Sequence, residues 1–140
     1  MLRRVMGVVV GVAVGMVVVM ITEAIGHVLW PPPEGMDPND VESVRAHLKE
    51  LPLGALVTVL VAWTLGGLVG STATGRITGS CRLAVVPGAL VMLGALMMLF
   101  SLPHPWWFWP GTLLLVPGAT WFGCRIGVPA AGSTATAAED

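Results

Sequence analysis

The stretch Val5–Leu29, V-M-G-V-V-V-G-V-A-V-G-M-V-V-V-M-I-T-E-A-I-G-H-V-L, decides what kind of chain this is. From Val5 to Ile21 it holds no polar side chain, and its first two polar positions after Thr22 are Glu23 and His27. A bilayer's hydrocarbon core is about 30 Å thick, and a helix rising about 1.5 Å per residue needs about 20 mainly apolar residues to cross it. Val5–Leu29 is long enough. Three later runs also qualify: Leu53–Thr74, Leu83–Leu102 and Trp107–Ile126. Soluble core helices are seldom this long and this apolar on every face.

Composition agrees with that reading. Of 140 residues, 55% are hydrophobic and only 11% charged, with a mean hydropathy of +0.84. Soluble domains carry about 25% charged residues. The net charge of -1 gives no field that would gather nucleic acid or an acidic substrate. The expected fold is therefore all-α: a polytopic membrane protein with four transmembrane helices in a bundle and a short amphipathic surface helix. Residues 1–127 form one transmembrane domain, and 128–140 read as a disordered cytoplasmic tail, small and polar from Gly132 onward.

Positive charge sets the direction of threading. Arg3 and Arg4 precede the first run, Arg76 and Arg82 lie between the second and third, and Arg125 closes the fourth. Arg45 and Lys49 stand alone on the other side. Because cytoplasmic loops collect Lys and Arg, both termini are expected in the cytoplasm. A cleaved signal peptide is the rival reading of the N-terminus, with Ala24-Ile25-Gly26 offering a small-residue site. The apolar run Val5–Ile21 exceeds the usual 7–15 residues of such a segment, so retention is expected.

Between lipid-embedded helices, close packing replaces the hydrophobic effect as the cohesive force, and small residues permit it. Gly7, Gly11 and Gly15 recur every fourth residue, as do Gly66, Gly70 and Thr74. They read as helix-packing faces, within one chain or between two copies. Pro87 reads as a first-turn residue of the third span and Pro117 as a mid-span kink. A faint repeat sets Pro52 eleven residues before Trp63 and Pro110 eleven before Trp121. Cys81 and Cys124 fit no metal-knuckle spacing and fall near the cytoplasmic side, so they are expected to be unpaired packing residues.

The outer side gathers the polar chemistry. Pro31-Pro32-Pro33 enforces an extended exit from the first span. Asp37-Pro38 reads as a helix cap followed by proline at the first helical position, and Val41, Val44, Leu48 and Leu51 form an apolar stripe. A surface helix over 38–51 follows. Trp30, Trp106, Trp107 and Trp109 read as an interfacial aromatic belt, with a ligand platform as the alternative.

Ionisable residues inside a span are costly and are by default hypotheses about function. Glu23 and His27 lie about 40° apart around a helix, at the outer edge of the first span, level with His104 in the last outer loop. Glu23, His27 and His104 therefore make a candidate polar or ligand site. Three readings stay open: hydrogen-bonded ties between helices, a proton or ligand site, and a metal site of carboxylate and imidazole ligands. No catalytic fingerprint occurs: H-E-x-x-H, G-x-S-x-G, the P-loop and the dinucleotide motif are all absent, so no enzymatic role is expected.

The segments E-A-I-G-H-V-L-W-P-P-P-E-G (Glu23–Gly35), L-P-L-G-A (Leu51–Ala55) and L-P-H-P-W-W-F-W (Leu102–Trp109) resemble those of short, uncharacterised four-span bacterial inner-membrane proteins. The resemblance implies an integral membrane protein and carries no activity or cofactor. The leading expectation is a structural or accessory subunit, partnered by the lipid bilayer and by its own copies or another membrane protein, with no nucleic acid. The alternative is a transporter or channel element, or a metal-binding membrane protein, using the outer-face Glu/His site.

Overall fold

The computed structural model describes residues 1–37, 39–48 and 50–128. Pro38, Lys49 and the expected tail beyond Val128 lie outside the described residues. The architecture is all-helical: α1 (Leu2–Leu29), α2 (Val41–His47), α3 (Leu53–Thr78), α4 (Cys81–Ser101) and α5 (Phe108–Gly127). Among the described residues, three helices, α1, α3 and α4, are long and apolar enough to cross a membrane. α5 has 20 residues, but Pro110, Pro117, its glycines and Arg125 dilute its apolar character.

α3 is the central element. It packs against α1, α4 and α5, while α4 also touches α5 and, less extensively, α1. The α1–α3 contact is a glycine seam. A Cβ on Gly11 would stand 2.7 Å from the carbonyl oxygen of Gly70 and would also strike Thr74 Oγ1, and a Cβ on Gly15 would stand 2.9 Å from that of Gly66. Gly7 meets Ile77 and Thr78. Thr74 Oγ1 donates to the Gly7 carbonyl at 3.3 Å, adding a polar tie between these helices. Within a single chain, then, the glycines of α1 and α3 pack on one another. α3 ends at Gly79, whose φ of +65° lets its N–H return to the Gly75 carbonyl. Only Gly79 and Ser80 separate it from α4.

Four expectations are corrected. α4 starts at Cys81, which puts Pro87 beyond the first turn; it is fully buried there, against Gly70. The surface helix is shorter than 38–51, and its cap is Asp40 rather than Asp37. Asp40 accepts from the N–H groups of Glu42 and Ser43, while Asp37 is taken up in a turn that accepts from the N–H of Asn39. Of the stripe, Leu48 is buried and Val44 and Leu51 pack on the core, whereas Val41 is exposed. Cys81 and Cys124 are paired, not free. The start of α4 lies beside the end of α5, which sets their Cα atoms 5.3 Å apart.

The aromatic belt also divides. Trp106 is 83% exposed, but Trp107 and Trp109 pack against the core and Trp30 lies over Gly54. Apolar faces cover the outside of the helices, among them Leu113, Leu114 and Leu115 on α5.

Candidate functional site

The half of the molecule that carries α2 holds a cavity of about 500 Å³ between α1, α3 and α4, covered by α2. Glu23, His27 and His104 all line it. They come from two parts of the chain. Glu23 and His27 stand one turn apart near the end of α1, and His104 comes from the loop that reverses the chain between α4 and α5. Helical geometry explains the first pair; the tight Pro103–Pro105 turn explains the third.

The three groups share a cavity without binding one another. Among the described residues no hydrogen bond joins Glu23 to His27 or to His104, and no three His, Cys, Asp or Glu side chains stand close enough to hold a metal ion. Glu23 is half-buried on the cavity wall, which it shares with His27 one turn on and with Trp63 of α3. His27 is exposed at the rim. His104 is tied to its own loop: its Nδ1 lies 3.0 Å from the Leu102 carbonyl oxygen. A carbonyl only accepts, so the proton sits on Nδ1 and Nε2 keeps its lone pair. Burial pushes the His104 pKa below the usual imidazole value, partly countered by that same hydrogen bond.

Aromatic rings adjoin the polar groups. Phe108, fully buried at the start of α5, stacks on His104 with ring centroids 4.7 Å apart. It also meets Trp63 edge-on at 5.7 Å. Ring contacts thus run from Trp63 through Phe108 to His104, and Trp63 and His104 line the same cavity as Glu23.

Neither Trp63 nor Phe108 is among the site residues expected from sequence. Trp63 did carry a signal. It is the eleventh residue of α3, at the middle of an apolar helix rather than at an interface, and a buried indole N–H needs an acceptor. His47, the third histidine, is bonded within α2 to the Ser43 carbonyl at 2.8 Å and does not line the cavity.

The remaining walls are apolar. Met16 on α1 and Leu90, Gly94 and Met98 on α4 line the cavity while remaining exposed themselves. Their exposure marks where the cavity opens: sideways, between α1 and α4. Above it, Val44, Leu48 and Leu51 of α2 and its flank form the cover, held down by Arg45, which donates to the Ser101 carbonyl at 2.6 Å. Comparison with known protein families, curated proteins and solved structures returns no match for the chain.

Proposed function

We propose that this is a non-enzymatic integral membrane protein of the bacterial inner membrane, crossing it four times with both termini in the cytoplasm, and that its outer-leaflet cavity binds a membrane-soluble amphiphile. The observation that carries the reading is the lateral opening between α1 and α4. Exposed Met16, Leu90 and Met98 border it, and Glu23, His27 and His104 stand in the same space. A volume of about 500 Å³ falls within the range of about 300–1,000 Å³ common for small-molecule sites, which are mainly apolar with a few placed polar groups. The asymmetry of the arginines supports the orientation. For α5 as the fourth span, its contacts along α3 and α4 and its exposed apolar side chains are the support.

Extraction from native membrane into lipid nanodiscs, followed by native mass spectrometry, tests this. The expected result is a retained small amphiphile that is lost when Gly94→Phe places a ring at the opening, since Gly94 borders the cavity and a Cβ there meets nothing within 4 Å. A sample that carries no small molecule but a stoichiometric protein partner would replace this reading with the accessory-subunit one. Metal analysis of the same sample decides the metal reading.

A further inference from the structure

The chemistry of the cavity lining selects among amphiphiles. Among the described lining residues there is no Arg or Lys. Arg45, on the helix that covers the cavity, is engaged elsewhere, with the Ser101 carbonyl at 2.6 Å and with Glu42 at 3.3 Å. A phosphate or carboxylate headgroup would therefore enter a space containing the Glu23 carboxylate, with no Arg or Lys among the described lining residues to offset it. Burying such a like-charge pair costs heavily.

Hydrogen-bonding capacity points the same way. Glu23 offers carboxylate oxygens. Thr58 spends its hydroxyl proton on the Gly54 carbonyl at 2.8 Å, leaving its oxygen as an acceptor. His104 spends its Nδ1 proton on Leu102, leaving Nε2 as an acceptor. The site is thus rich in acceptors, and Trp30 and Trp63 add two indole rings to the same wall. Indole faces are the strongest side-chain partners for cations, and quaternary ammonium groups are commonly recognised by aromatic walls of this kind. Among the described lining residues the titratable groups are Glu23, His27 and His104, and His27 sits exposed at the rim.

We infer that the ligand of this cavity is a lipophilic cation: an ammonium-type headgroup held at Glu23 beside Trp63 and Trp30, with its apolar tail directed along Met16, Leu90 and Met98 toward the lipid. The inference rests on the reading of the cavity as a ligand site. It adds the sign of the charge and the class of headgroup.

The test uses three probes with one tail and three heads: decyltrimethylammonium, decanol and decanoate. Saturable binding to the full-length protein in nanodiscs is followed by tryptophan fluorescence, with empty nanodiscs subtracting simple partition. The ammonium probe is expected to bind at least about tenfold more tightly than decanol, and decanoate to show no saturable binding. Glu23→Gln is expected to remove most of the ammonium's advantage, and Gly94→Phe to abolish binding of every probe. Decanol or decanoate binding as tightly as the ammonium, with Gly94→Phe still abolishing it, overturns the cation inference and leaves the cavity as a ligand site. Saturable binding by none of the three overturns both. The comparison among probes needs only the wild-type protein, so it decides the question even where Glu23→Gln fails to fold.

Discussion

Gly70 is the position at which the packing of this fold can be tested most sharply. A Cβ there would stand 2.8 Å from the Gly11 carbonyl oxygen on α1, 3.0 Å from Pro87 Cβ on α4 and 3.3 Å from Gly15 Cα. Carbon atoms in comfortable contact are about 3.5–4.0 Å apart, so both neighbouring helices must retreat by roughly half an ångström or more. None of the three obstacles is the free end of a flexible side chain. Overpacking of this kind costs about 1–3 kcal/mol. Against it, replacing glycine by alanine within a helix gains about 1 kcal/mol in propensity. Gly94→Ala isolates that second effect, because a Cβ at Gly94 on α4 meets nothing within 4 Å. The difference between Gly70→Ala and Gly94→Ala therefore reads packing alone and is expected to be about 1–3 kcal/mol, with Gly70→Ala the less stable. Reversible unfolding in dodecylmaltoside–SDS mixtures, followed by far-UV circular dichroism, provides the measurement. Two variants agreeing within about 0.5 kcal/mol, the spread of neutral surface substitutions, would refute the seam as a rigid contact.

Two further expectations follow from the site and from the cysteines. His104 has its pKa lowered by burial, so as pH falls the unfolded chain takes up its proton first; stability is fully present above the ordinary value of 6.5 and is lost as pH falls from there through the folded value. Melting curves taken at pH steps from about 7.5 to 5 should show this decline, and the His104→Asn profile should be flatter over the same window. Cys81 and Cys124, paired in the structure, lie at the arginine-rich end of the fold. If that end is cytoplasmic, cells quenched in acid should yield both thiols reactive to a maleimide–polymer label, and protein purified in air should yield neither until reduced. Protection in the quenched cells would refute the cytoplasmic placement.

Much of the helical framework was legible because long apolar runs have few alternatives. Val5–Leu29 anticipates α1 to within three residues at its start, and Leu83–Leu102 anticipates α4 to within two at either end. The outer loop was less legible. Asp37 and Asp40 are both good helix caps, and the sequence favours Asp37 because Pro38 follows it; Asp40 caps because it places the helix where Leu48 can be buried. The Cys81–Cys124 pairing depends on which helix ends are neighbours, which no local spacing encodes. At the site, the periodicity of α1 puts Glu23 with His27, and topology brings His104 to their level. What periodicity could not show was the link through Trp63 and Phe108. That link arises from α3 and α5 being neighbours, a fact of tertiary packing.

The seam and the cavity are two results of one distribution of side-chain size. In the half away from α2, Gly11 and Gly15 of α1 meet Gly70, and Pro87 of α4 rests on the same glycine, so three helices converge almost to backbone contact. Toward the α2 end α1 stays close to α3, since a Cβ at Gly26 would stand 2.7 Å from Thr58 Cγ2. The divergence therefore falls between α1 and α4, where Met16, Leu90 and Met98 border the opening. Closely packed interiors transmit displacement rather than absorb it. A wedge at Gly70 lies at the point from which α1 and α4 diverge, so it should alter the width of the opening as well as the stability of the fold. A variant that loses stability while leaving ligand affinity unchanged would show that the cavity walls are set locally; a parallel loss of affinity would show that the glycine seam is the hinge on which the site is built.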